Sequence, residues 1–237
     1  MDVAADTRAA LDRLGERYGL SGEQIDQLAK ILGTLALDEL APTTVREPAL
    51  ATDVHLADSL VALGLEVMRK AGAVADLGAG AGFPGLPLAI ALPQSKVKLV
   101  ESRVRKCAFI ERVVADAEID NAEAVCARVE EWPEGIEAHD VVLARAVAPQ
   151  PIVLEYAAPL LRLGGALVDW RGQRNLEEER VAAEAAEVLG LKREIVCRVA
   201  PYEGVRDHYL HVYVKARETP DRFPRRVGMA RKKPLAT

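Results

Sequence analysis

Val74-Ala-Asp-Leu-Gly-Ala-Gly-Ala-Gly-Phe-Pro-Gly-Leu-Pro87 decides the fold of this 237-residue chain. A short apolar run ends at Asp76-Leu77, and glycines follow at alternate positions, Gly78, Gly80 and Gly82. A second apolar run, Val97-Lys-Leu-Val100, ends in Glu101, which lies 23 residues after Gly78. The pattern is a strand, a glycine turn, a helix and a second strand tipped by a carboxylate. Glycines let a backbone approach a ligand closely because no Cβ intervenes. A carboxylate at the tip of the second strand accepts hydrogen bonds from ribose hydroxyls. The unit is therefore expected to bind a nucleoside-containing cofactor.

Spacing narrows the choice. The dinucleotide fingerprint needs glycines at relative positions 1, 3 and 6. Here Phe83 holds position 6 and the third glycine holds position 5. The phosphate-cradling loop that ends in Gly-Lys-Ser/Thr is absent. Asp-x-Gly-x-Gly-x-Gly instead resembles the first motif of S-adenosylmethionine-dependent methyltransferases. That cofactor offers an adenosine for Glu101 and no pyrophosphate.

Outward from this unit the chain alternates. Strands are expected at 73–77, 97–101, 123–127, 140–144, 166–170, 193–199 and 209–215, and helices at 84–92, 103–118, 151–162 and 175–189. Alternation of this kind implies a mainly parallel sheet with helices on both faces. The last two strands have no clear helix between them, so the final one is expected to be antiparallel. Residues 1–72 read as helical, with a Ser21-x-x-Gln24 capping box before Ile25, Leu28, Ile31 and Leu32. Leu40-Ala-Pro42 is expected to stop that helix, and Thr52 to cap another. The expected division is an N-terminal helical extension (1–72), a methyltransferase domain (73–216) and a basic tail (217–237).

Composition sets bounds. No apolar run approaches the roughly 20 residues of a membrane span, and Met1-Asp-Val-Ala-Ala-Asp lacks the pattern of a secretory signal. Cys107, Cys126 and Cys197 are odd in number and read as buried thiols in a reducing cytoplasm. Four scattered histidines without Cys-x-x-Cys argue against a metal. The net charge is −5, yet residues 217–237 hold seven Lys/Arg against two acids. An acidic body with a basic tail suggests an arm that meets phosphate, and Pro220, Pro224 and Pro234 favour an extended one. A solvated, unstructured tail fits the charge equally well.

In such a sheet the ligand lies beyond the carboxyl ends of the strands. The residues there are Gly78–Gly85, Glu101–Ser102, Arg128–Glu130, Arg145–Gln150 and Arg171–Arg174. With these collected, the chain closely resembles the bacterial small-subunit (16S) ribosomal RNA guanine-N7 methyltransferases, the glucose-inhibited division protein B family. The resemblance rests on His55-x-x-Asp58-Ser-Leu60, the Gly-Phe-Pro-Gly-Leu-Pro87 turn, Glu101-Ser102 with Arg105-Lys106, Arg128-Val-Glu-Glu131, Arg145-Ala146, Phe223-Pro-Arg-Arg-Val-Gly228 and Lys233-Pro-Leu235. It departs where the family has Lys-Gly after the fifth strand and this chain has Arg171-Gly172.

The resemblance implies a class I S-adenosylmethionine-dependent (Rossmann-like) α/β fold acting on N7 of a guanine in 16S ribosomal RNA. It implies that Gly78, Gly80, Gly82 and Phe83 border the cofactor, that Glu101 with Ser102 takes the ribose, and that Val129 and Glu130 reach the adenine. His55 and Asp58 would belong to a helical lid, with Asp58 near the site. Arg103, Arg105, Lys106, Arg128, Arg171, Arg225, Arg226, Lys232 and Lys233 would meet RNA. The partner would be ribosomal RNA or the small subunit, met in the cytoplasm by a monomer.

Guanine N7 carries a lone pair and no proton, so its attack on a sulfonium methyl needs no general base. It needs alignment and exclusion of water. Consistent with this, neither an Asn/Asp-Pro-Pro-Tyr nor a cysteine follows the fourth strand; Arg145 stands there. Arginine addresses guanine acceptors. Its place is O6, a flanking phosphate or the cofactor carboxylate, because an arginine on N7 would block the nucleophile. Trp132 and Trp170 read as core or rim packing. The competing functions are a small-molecule methyltransferase, a non-catalytic RNA-binding module on the same fold, and a nicotinamide dehydrogenase. The basic tail, the intact turn with Glu101, and the glycine spacing argue against each in turn.

Overall fold

The computed structural model describes residues 4–236. Met1–Val3, part of the stretch read for a signal, and Thr237 of the tail lie outside the described residues. The chain begins with α1 (Ala5–Tyr18) and α2 (Gly22–Leu37). The Ser21/Gln24 capping box is present in both directions. The second helix ends at Leu37, before the proline, where Asp38 turns extended. Thr52 is not a cap. α3 (Pro48–Ala51) is capped by the Glu47 carboxylate, which accepts from Ala49 and Leu50 N–H, and Thr52 instead donates back to Pro48 O. A π-type turn over Thr52–Ala57 follows, then α4 (Asp58–Leu60), a 3-10 turn and α5 (Glu66–Arg69).

From β1 (Ala73–Leu77) the expected alternation holds: α6 (Gly85–Ala91), β2 (Lys96–Glu101), α7 (Val104–Asp116), β3 (Ala122–Cys126), β4 (His139–Arg145), α8 (Gln150–Ala157), β5 (Leu161–Arg171), α9 (Leu176–Leu189), β6 (Leu191–Arg198) and β7 (Tyr209–Lys215). The short α10 (Met229–Lys232) ends the fold. α8 stops earlier than its pattern suggests, because Pro159 breaks it and Leu161 already pairs with His139.

The seven strands lie in the order β3-β2-β1-β4-β5-β7-β6. β1 to β5 are parallel, and β7 is antiparallel to both its neighbours, as expected. Strand order reverses between β1 and β4, which opens a crevice above their carboxyl ends. Leu11, Leu28, Ile31 and Leu35 of the first two helices share one apolar core with Leu88, Leu99, Phe109 and Val141 of the sheet layer. Ala75, Leu77, Val142, Leu154, Leu167 and Tyr213 form the core on the other face.

Two expectations fail. Of the cysteines only Cys107 is buried; Cys126, at the tip of β3, is exposed, and Cys197 is intermediate. The tail is not an extended arm. It doubles back over α8, burying Phe223 and Ala230 and packing Leu235 on the second core. Seven basic residues in a row of 21 suggested solvation, but two of them have acids folded against them: Arg217 meets Glu187, and Arg225 makes two bonds to Glu155.

Candidate active site

The glycine turn is built by backbone geometry. Gly80 has φ +60°, in the left-handed region, and Gly82 has φ +91°. A Cβ on Gly82 would lie 2.2 Å from Leu86 Cδ1, so packing within the protein also demands glycine there. A Cβ on Gly80 would meet only Gly78 O at 3.7 Å. That space is open. Asp76 holds the start of α6: its Oδ2 accepts from Gly85 N–H at 2.8 Å, while Oδ1 has no partner. Burial pushes this carboxyl up to about 7, against the pull of that hydrogen bond.

Glu101 is buried at the tip of β2. Its Oε2 accepts from Gly80 N–H at 3.2 Å and its Oε1 from Arg103 N–H at 3.0 Å. Lys106 Nζ stands 3.6 Å away. The acid is thus held across the turn, at the rim of a cleft of about 400 Å³. Gly78, Ser102, Arg103, Lys106, Arg128, Val129 and Glu130 also line this cleft.

Four more residues complete its walls, two of them, Tyr156 and Arg231, without a site role in the sequence reading. Ala146 and Val147 come from the end of β4, Tyr156 from α8, and Arg231 from α10. Arg231 is held by Val147 O at 3.1 Å, and Gly228 N–H donates to Glu130 Oε1 at 3.1 Å. One Glu130 oxygen is therefore taken by the tail. Ala146 and Val147 fall in the stretch after the fourth strand that the sequence singles out, whereas Tyr156 sits within a helix and Arg231 between the two tail motifs.

A second cleft, of about 310 Å³, adjoins the first and shares Ala146 with it. It is lined by Asp58, Arg145, Trp170, Arg171, Gly172, Gln173 and His208. Ala146 adopts φ +56°, an uncommon conformation for a residue with a side chain, at the junction. Strain of this kind concentrates at functional sites. Arg145 Nη1 donates to Asp58 Oδ2 at 2.8 Å and to Val54 O at 3.3 Å. Its guanidinium lies 5.8 Å from the Phe83 ring centroid.

His55 and Asp58 lie three residues apart yet serve different contacts. The π-type turn sends them to different partners. His55 stacks on Phe83 with centroids 4.5 Å apart, and Asp58 turns to Arg145. Burial and the nearby Arg145 charge pull the imidazole down to about 4, so His55 is a neutral pier under the glycine turn.

A family profile described as rRNA small subunit methyltransferase G matches residues 23–203, well over half of the chain. The chain belongs to this family. Relatives agree over nearly the whole length. The rRNA small subunit methyltransferase G of Rubrobacter xylanophilus is 36% identical over 98% of this chain and 93% of its own. That of Syntrophomonas wolfei is 40% identical over 76% and 85%. Among solved structures, Aeropyrum pernix fibrillarin with bound S-adenosyl-L-methionine superposes with TM-score 0.52 at 20% identity, covering 67% of this chain and 74% of that one. A precorrin-6y C5,15-methyltransferase from Geobacter metallireducens gives TM-score 0.52 at 18% identity over 76% and 96%. Those likenesses concern the fold.

The basic residues expected to meet RNA are only partly free in this family member. Arg171 is engaged by Glu178 and by Ala148 O, and Arg225 by buried Glu155. They brace α9 and the tail. Arg103, Arg105, Arg226, Lys232 and Lys233 are exposed. Trp170 and Trp132 are buried, as expected. Trp170 Nε1 donates to Asp58 O at 2.9 Å, and Trp132 packs against His139. Among the described residues no group of His, Cys, Asp and Glu is arranged to hold a metal, and no helix is long and apolar enough to cross a membrane.

Proposed function

We propose that the chain transfers the methyl group of S-adenosylmethionine to N7 of a guanine in small-subunit ribosomal RNA. The observation that carries the reading is the pair of adjoining clefts at the sheet's switch point. One is rimmed by a buried carboxylate and a glycine turn, the other by an arginine, and they meet at Ala146. The first suits an adenosine. Glu101 faces it with lone pairs left after its two backbone bonds, and the open space at Gly80 lets a ligand lie on the backbone. The bound cofactor supplies an electrophilic methyl. What remains for the protein is to hold the nucleophile in line and dry.

N7 has no proton to lose, and the site contains no dedicated base for that atom. Arg145 commits Nη1 to Asp58 and Val54, so its remaining N–H groups are available to guanine O6. Asp58 offsets the guanidinium charge, so the cation that develops on the purine does not face an unbalanced arginine. Both clefts are completed within one chain, which supports action as a monomer. The ribosomal RNA substrate places the reaction in the cytoplasm.

Purified protein, isolated small subunits lacking the mark and S-adenosylmethionine test this directly. Nuclease mapping by mass spectrometry should find 7-methylguanosine in 16S rRNA. Methyl transfer to another atom, or only to small molecules, would refute it.

A further inference from the structure

His208 stands on the loop entering β7, 150 residues from Asp58 in sequence, and went unremarked in the sequence. Its Nδ1 lies 3.1 Å from Asp58 Oδ1. The other Asp58 oxygen accepts from Arg145, and the Asp58 main-chain carbonyl accepts from Trp170. The carboxylate is buried and held at both oxygens, and its backbone is held by Trp170. A carboxylate can only accept, so in the neutral imidazole it fixes the proton on Nδ1 and leaves the Nε2 lone pair free. Nε2 has no hydrogen-bond partner among the described residues. The ring borders the second cleft with Arg145 and Arg171, and Tyr202 meets it edge-on at 6.5 Å.

The cleft that meets the first at Ala146 thus offers a donor, Arg145, and an acceptor, His208, joined through Asp58. Guanine carries the complementary sequence. Beside N7 comes O6, an acceptor, and beyond O6 comes N1–H, a donor. With N7 turned toward the cofactor cleft, O6 falls to Arg145 and N1–H to the next group. Adenine would set an amino group against the arginine and a lone pair against a lone pair. A site built to hydrogen-bond a group rejects analogues that leave its own polar atoms unpaired.

We propose that His208 accepts the N1–H of the target guanine and so selects guanine, with Asp58 as the positioning residue that sets its tautomer. This rests on the N7-methylation reading above. The hydrogen bond also strengthens as positive charge appears on the purine, because N1–H becomes a better donor. Its contribution therefore falls on the chemical step more than on RNA binding.

The test uses small subunits reconstituted with splint-ligated 16S rRNA. The ligated position, the one that wild-type protein methylates, carries guanosine or 1-methylguanosine, which has no N1–H. Wild type should lose roughly tenfold or more in kcat/KM on the modified RNA. His208→Ala should lose a similar factor on guanosine, mainly in kcat, and no longer distinguish the two RNAs. His208→Gln, which restores an acceptor oxygen, should recover most of the guanosine rate and the discrimination. Calorimetry should show unchanged S-adenosylmethionine affinity in both variants. If His208→Ala keeps the wild-type ratio between the two RNAs, slower or not, His208 does not read the base and the proposal fails. If wild type methylates an atom other than N7, the parent reading fails and the inference with it.

Discussion

At the scale of one residue, the proposed cofactor site turns on Glu101. Charge-assisted hydrogen bonds to ribose hydroxyls are worth about 1.5–3 kcal/mol, so Glu101→Ala should weaken S-adenosylmethionine binding by roughly tenfold or more. Its internal bonds come from two backbone N–H groups and the Ser102 hydroxyl at a solvent-facing cleft, where water replaces the acid. The melting temperature should therefore move much less than the affinity. Equal loss of both would make Glu101 a structural acid. A second residue sets a pH dependence. Asp169, inside β5, is pushed up to about 7 by burial, with Arg171 and Gln150 pulling the other way. Its folded-state value lies above the ordinary 3.8. The folded protein then binds a proton more tightly than the unfolded chain, and the group costs stability as pH rises from about 4 to about 7. Asp169→Asn keeps an oxygen for the Gln150 amide and removes the charge. In urea melts it should be no better than wild type at pH 4 and more stable at pH 8, by at most about 4 kcal/mol. A pH-independent difference would show that Asp169 is not the titrating group.

The tail is the element whose role changed most between sequence and structure. As a free basic arm it would leave cofactor binding untouched when deleted. As a strap it holds Glu130 through Gly228 and presents Arg231 to the cleft proposed for the cofactor. Removing residues 222–237 should therefore weaken S-adenosylmethionine binding as well as RNA binding. Its anchor is Arg225 on Glu155, an acid only 3% exposed. Taking away one partner of a buried pair leaves an uncompensated charge, at a cost of about 3 kcal/mol. Arg225→Ala should show that loss by chemical denaturation, and adding Glu155→Gln should restore part of it. Additive losses would mean that the pair is not what fastens the strap. The π-type turn at Thr52–Ala57 is the other element with a job. It places His55 under Phe83 and delivers Asp58 to Arg145.

At the scale of the whole molecule, an acidic chain must meet RNA through local cations. Arg226, Lys232 and Lys233 are exposed on the strap. Neutralising all three should flatten the salt dependence of RNA binding by up to about 2 log–log units, at roughly 0.7 per phosphate contact on a single strand. Cofactor affinity should stay the same; an unaltered slope would move the RNA face elsewhere. The sheet was legible in the sequence because parallel central strands are buried on both faces and read as apolar runs between turn signals, as Val74–Leu77 and Val141–Ala144 do. The placement of Glu101 against the glycine turn was legible because it is local to one βαβ unit. The Asp58–Arg145–His208 cluster was not, since its members come from three distant segments that only the folded sheet brings together. Nor was the strap, because charge counts do not reveal which basic residues have acids folded against them.

The central claim is that the two clefts joined at Ala146 bring S-adenosylmethionine and a guanine together. The most direct measurement is mass mapping of 16S rRNA from cells with and without this gene, complemented by wild type or by Glu101→Ala. The account predicts one 7-methylguanosine that disappears with the gene, returns fully with wild type and returns to a lower level with the variant. An identical methylation map with and without the gene, or a lost methyl on any atom other than guanine N7, would contradict it.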